Sequence, residues 1–142
     1  MIDIYLAGPY TDESREVMGS RYESLTRGAA LLTGEGLAVF SPITHSAVMC
    51  DEHGLGHKWE HWKEVDRKFI SSSREMWVMM LDGWRESVGV RAEVGIAREL
   101  GLRVLYVLPE RIYQRDSRKV LVRGFQDRVE MDAPEESSCA PE

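Results

Sequence analysis

Cysteine is scarce in this chain, and the two it has, Cys50 and Cys139, are far apart and unpatterned. That excludes a disulfide scaffold and a thiolate zinc module, and it fits a reduced, cytoplasmic setting. Long apolar runs are also missing. The longest, Met76 to Leu81, is far too short to span a bilayer, and no signal peptide is read at the start. Excess positive charge is absent as well. The net charge is −6 over 142 residues, and residues 130–142 hold Glu130, Asp132, Glu135, Glu136 and Glu142 with no Lys or Arg. Without that tail the body is close to neutral, so neither part suits a nucleic-acid polymer.

What is present is ordinary for a soluble domain: 43% hydrophobic and 30% charged residues, enough for one sizeable core. Strands and helices alternate. Ile2–Ala7, Leu37–Phe40, Glu75–Leu81 and Arg103–Leu108 read as strands. Ser14 to Thr33, His57 to Ser73 and Gly89 to Gly101 read as helices, with Gly34 and Gly101 as stops. Residues 43–56 read as a loop. The pattern predicts a small doubly wound α/β domain, flavodoxin- or Rossmann-like, with a mostly parallel sheet of about five strands and helices on both faces. The domain is expected over residues 1–131, with 132–142 as an acidic tail of disordered composition. The basic segment 111–124 reads as a surface helix or edge strand, with a basic flank to an anionic ligand site as the alternative.

Two carboxylates are out of place. At about 100° per residue, Val90, Val94, Ala97 and Leu100 share a face of the last helix, and Glu93 falls within it. On the preceding helix, Asp66 lies inside the arc of Trp62, Val65, Phe69 and Ile70. A carboxylate on a core-facing stripe is desolvated unless it is paired or protonated. A partner for the helix dipole is the plainer account of Glu93. A pair of catalytic carboxylates is the sharper one, since glycosidic-bond chemistry uses one group to attack and another to handle a proton.

In such sheets ligands lie beyond the carboxyl ends of the strands. Here those ends are Gly8-Pro9-Tyr10, Ser41-Pro42, Asp82-Gly83-Trp84 and Leu108-Pro109. Ser87-Val88-Gly89 adds a helix amino end, where free N–H groups attract an anion, although serine is also a common N-cap. His53, His57 and His61 recur every four residues. A metal pair is one reading; the one carried forward has no metal, and a loop covering the substrate with His45, Trp59 and Trp62 toward a base. Trp59 and Trp62 as core residues are an equal alternative.

Ile4-Tyr5-Leu6-Ala7-Gly8-Pro9-Tyr10, Ser41-Pro42, Asp66 and Ser87-Val88-Gly89-Val90-Arg91-Ala92-Glu93 together resemble the nucleoside 2-deoxyribosyltransferase superfamily, over about residues 2–108. Its members include base-exchanging transferases and the 2′-deoxynucleoside 5′-phosphate N-hydrolases. The resemblance implies Glu93 as nucleophile, Tyr5 orienting it, Asp66 contacting the base or assisting its departure, and Gly8 at a close backbone approach to substrate. Ser87 stands where the hydrolases bind the 5′-phosphate and the transferases carry an acid. The expectation is therefore a nucleotide N-glycosidase needing no cofactor, acting on a small nucleoside or nucleotide, and working as a homodimer or larger homo-oligomer. Base exchange between nucleosides is the first alternative. A nucleotide-binding sensor without turnover is the second.

Overall fold

A computed structural model describes residues 1–115 of the chain. In order it forms β1 (Ile2–Ala7), α1 (Arg15–Gly34), β2 (Val39–Phe40), α2 (Pro42–Asp51), α3 (Trp59–Ser71), β3 (Ser73–Met79), α4 (Val88–Glu99), β4 (Arg103–Val107) and α5 (Pro109–Tyr113). The strands lie in the order β2-β1-β3-β4, and every pairing is parallel. The fold class is thus a mixed α/β, Rossmann-like one. Among the described residues the sheet has four strands, not about five.

Side-chain alternation along the strands builds two cores. Tyr5, Ala7, Met76 and Val78 point to one face and meet Ile70 of α3 and Val90, Val94 and Ala97 of α4. Ile4, Leu6, Trp77 and Met79 point to the other and meet Leu25 and Leu32 of α1 and Ile112 of α5. Full burial of such side chains contributes roughly 1.5–3 kcal/mol each. Because α1 covers one face while α3 and α4 cover the other, the chain winds outward in both directions from β1. The β1/β3 boundary is therefore the topological switch point, where the loops diverge and leave a crevice.

Several boundaries differ from the sequence reading. The 43–56 segment is mostly helix, α2. Its start is marked by Ser41, whose Oγ accepts from the Thr44 amide at 3.3 Å, and by Pro42 at the first helical position. That serine-proline pair ends a strand and opens a helix at once. The third helix begins at Trp59 and ends at Ser71, and β3 begins two residues early, at Ser73. Val65 and Leu100 are exposed at the margins of their apolar faces. Helix α1 ends at Gly34, the expected stop, and Gly36 beyond its cap takes the left-handed conformation, with φ +88. Among the described residues no helix is long and apolar enough to cross a membrane. The tail 132–142 and most of the 111–124 segment lie outside the described residues; within them, Pro109–Tyr113 is the short helix α5.

Candidate active site

The crevice at the switch point opens into a cleft of about 410 Å³. Glu93 and Asp66 both line it, although they come from different helices. Their relative exposures are 4% and 6%, so neither carboxylate can rely on bulk water for its charge. Glu75 is equally buried, at 4%, but its Oε1 accepts from the Trp77 indole at 2.8 Å. That is how a structural carboxylate is satisfied. Glu93 differs: its Oε2 is buried without a hydrogen-bond partner, and so is the Tyr5 hydroxyl.

These three groups are electrostatically one unit. Burial, then the nearby Asp66 charge, push the Glu93 carboxyl well above the usual range, while the Tyr5 hydroxyl pulls it back. Burial pushes Asp66 up to about 6. Tyr5 is raised by burial and then by the Glu93 and Asp66 charges. Tyr5 and Glu93 are close enough to bias each other's protonation, yet no bond of full hydrogen-bond geometry joins them. The Asp66 charge thus adds to burial in favouring the protonated form of Glu93.

The rim is built from helix amino ends. Ser87, Val88 and Gly89 open α4 into the cleft, and the Ser87 Oγ accepts from the Val90 amide at 3.2 Å, leaving the hydroxyl proton free to donate. A Cβ at Gly89 would lie 3.7 Å from Glu93 Oε1 and 3.9 Å from Ser87 Oγ; the glycine keeps the space between them open. Lys58 and Trp59 bring the start of α3 to the same cleft, and no side chain caps that helix. Trp62 lines the wall, its Nε1 donating to the Gly56 carbonyl at 2.7 Å, so the indole plane is held on the same α3 stripe as Asp66. Its core alternative is thereby only partly met, since the ring is half-buried.

Gly8, Tyr10 and Pro42 also line the cleft. The need for glycine at position 8 arises on its other side: a Cβ there would meet Leu25 Cδ2 at 2.5 Å. Other residues expected in the pocket sit elsewhere. Pro9 is wholly buried. Ser41 is spent on capping α2. His45 is exposed against the Phe40 and Phe69 rings, at 5.2 and 5.6 Å. Asp82 is exposed, and Trp84 packs on Tyr106 with Arg85 over its ring. Strand-end position alone does not say which way a loop turns.

Cys50, Ser46, Lys58 and Glu86 are lining residues the sequence reading did not single out. The first two come from α2, the helix that the sequence reading takes as a loop. The histidine run divides. His57 lies 3.4 Å from Asp51, His61 sets its edge against Trp62, and Asp51 also accepts from the Tyr10 hydroxyl at 3.1 Å. A larger hollow, about 640 Å³, lies beyond Tyr10 between α1 and α2. Its acidic residues Asp12, Glu13, Asp51 and Glu52 are all exposed, so water solvates them and the perturbed chemistry stays in the smaller cleft.

No curated protein matches this chain. One family does, over residues 2–108: it is described as a domain of unknown function, DUF1937.

Proposed function

The chain belongs to the DUF1937 family, whose description carries no activity, and from the chemistry of the cleft we propose that it cleaves the N-glycosidic bond of a (deoxy)nucleoside 5′-monophosphate. The observation that carries this reading is the Glu93 carboxyl, buried and with an unpartnered oxygen, sharing a cleft with a second buried acid and a serine-capped helix amino end. The resemblance to the deoxyribosyltransferase superfamily supports the same roles.

In the proposed reaction a Glu93 oxygen bonds to the anomeric carbon as the carbon–nitrogen bond breaks. The departing base nitrogen takes a proton from Asp66. In the substrate complex the proton held by the two acids passes from Glu93 to Asp66, and positive charge growing on the sugar as the base departs then stabilises the Glu93 carboxylate. The Tyr5 hydroxyl faces the carboxylate and opposes its reprotonation. Water then attacks the anomeric carbon, gives its proton to Asp66, and releases the sugar phosphate and the Glu93 carboxylate. The Ser87 hydroxyl and the α4 amides receive the phosphate, and Lys58 is the cation on the cleft wall.

A second reading has its own support. Glu60 and Glu86 also line the cleft, both exposed, and an acidic rim suits an uncharged nucleoside and base exchange. Release of free base from a panel of deoxynucleosides and their 5′-monophosphates, with and without an added acceptor base, separates hydrolysis from exchange. Absence of release from every 5′-monophosphate would sink the proposal.

The shared proton gives a sharper expectation. The acidic limb of kcat/KM should lie above the ordinary carboxylate range, because burial and the Asp66 charge raise the Glu93 carboxyl that must be ionised. Asp66→Asn removes the charge that helps to hold Glu93 protonated, so the limb should move to lower pH while the maximal rate falls by about 100-fold with loss of the proton donor. A pH–rate profile of the variant checks this. An unmoved limb would mean that the two acids do not share a proton during turnover.

A further inference from the structure

We propose that Arg21 is the positioning residue that holds the two loop walls of the cleft at a fixed separation. Arg21 belongs to α1 and lines neither hollow. Its side chain is 14% exposed. Nη1 donates to the carbonyls of Tyr10 at 3.3 Å and Thr11 at 3.1 Å, and Nη2 donates to the carbonyl of Asp82 at 2.9 Å. The Asp12 carboxylate lies 3.8 Å from Nη1.

Those carbonyls belong to the loops that leave β1 and β3, the two central strands. The ladder between these strands ends at Ala7 and Val78. Beyond it the chains part at the switch point, and no sheet bond holds them in register. The Arg21 fork takes over that task. It bonds Tyr10 and Thr11 on one wall. On the other it bonds Asp82, and the same loop runs on to Glu86, Ser87 and Gly89. Gly83 fits this arrangement: its φ is +87, and a Cβ there would stand 2.5 Å from Arg21 Nη2. The glycine both makes the turn and admits the guanidinium. A planar fork with donors in fixed directions can bridge three carbonyls; a lysine ammonium on a shorter reach cannot.

The kinetic part of the test rests on the proposed glycosidase reading; the exchange part does not. Arg21→Met and Arg21→Lys are compared with wild type, with Arg74→Met as a control, since Arg74 pairs with Asp3 at 3.8 Å at the far end of the strands. Hydrogen exchange is expected to quicken at least about tenfold in residues 10–12 and 83–87 together, while β1 and β3 keep their protection. With a deoxynucleoside 5′-monophosphate, kcat should drop about 10- to 100-fold and KM change less, because misalignment of groups already bound slows the chemical step. The acidic limb should also move to lower pH, as a looser cleft admits water to the buried acids. The Lys variant should fail to restore wild-type behaviour, and the Arg74 control should match wild type. Loosening of only one loop, a change in KM alone with an unmoved limb, or full rescue by Arg21→Lys would overturn the assignment. Should Arg21→Met not fold, Arg21→Lys decides by the same readouts. A wild type that releases no base would count against the glycosidase reading alone, and the paired exchange would still decide on the clamp.

Discussion

Glu93→Gln is expected to abolish base release and, at the same time, to make the protein more stable. The loss in rate should be on the order of 10³-fold or more, because an amide oxygen cannot form and then release the glycosyl ester. The gain has a definite pH dependence. In the unfolded chain Glu93 ionises near the ordinary glutamate value of 4.5, whereas burial raises it well above that in the folded protein. Below pH 4.5 both states hold the proton and the residue brings no penalty. As pH rises past that point the unfolded chain releases its proton and the folded one retains it, so stability falls until the folded carboxyl also ionises. Glutamine is neutral throughout and lacks this fall. The variant should therefore denature close to wild type at pH 4 and be more stable by about 1–2 kcal/mol at pH 8, in the manner of other relieved active-site residues. Thermal denaturation across that range, beside a base-release assay, checks both halves. If Glu93→Ala keeps more than about a tenth of wild-type turnover, Glu93 is not the nucleophile.

Removing the 5′-phosphate from the substrate should lower kcat/KM by about 10- to 100-fold, the scale of one or two charge-assisted hydrogen bonds. Ser87 is the residue that tests this without disturbing the fold. Its Oγ caps α4 by accepting from the Val90 amide, and aspartate caps a helix as well as serine does. Ser87→Asp should thus leave stability nearly unchanged. It should also weaken use of the monophosphate by like-charge repulsion and improve use of the free deoxynucleoside. Lys58→Met should act in the same direction and more weakly, since that side chain is exposed and its attraction is screened. Equal or better wild-type activity on the unphosphorylated nucleoside would favour base exchange, as the acidic Glu60 and Glu86 rim already hints. Tight binding of the monophosphate without any release of base would favour a sensor.

The paired acids were legible because they depend only on local periodicity. Counting residues around one helix put Asp66 beside Trp62, and around another put Glu93 beside Ala97; both are buried in the fold. Gly89 and Ser87 were legible as a helix start for the same reason. Helix α2 was missed because its cap, Ser41-Pro42, is also a plausible strand end, and ten residues with few charges offer little periodicity to read. Pro9, Ser41, His45, Asp82 and Trp84 do not line the cleft for a different reason. Each sits at a strand end or on the following turn, but the direction a turn takes is set by contacts from elsewhere. Asp82 shows this plainly: its carbonyl is bonded by Arg21, a residue 61 positions earlier.

The sequence by itself determined the alternation of strand and helix, the parallel sheet and the presence of one misplaced carboxylate on each of two helices, because each follows from neighbours a few positions apart. Only the tertiary structure decided that those carboxylates share one cleft, that Glu93 keeps an unpartnered oxygen while Glu75 accepts from Trp77, and that Arg21 spans the loops beside them. Those facts depend on distances between segments far apart in the chain, which packing of α3 and α4 on the same face of the sheet sets and no local pattern encodes.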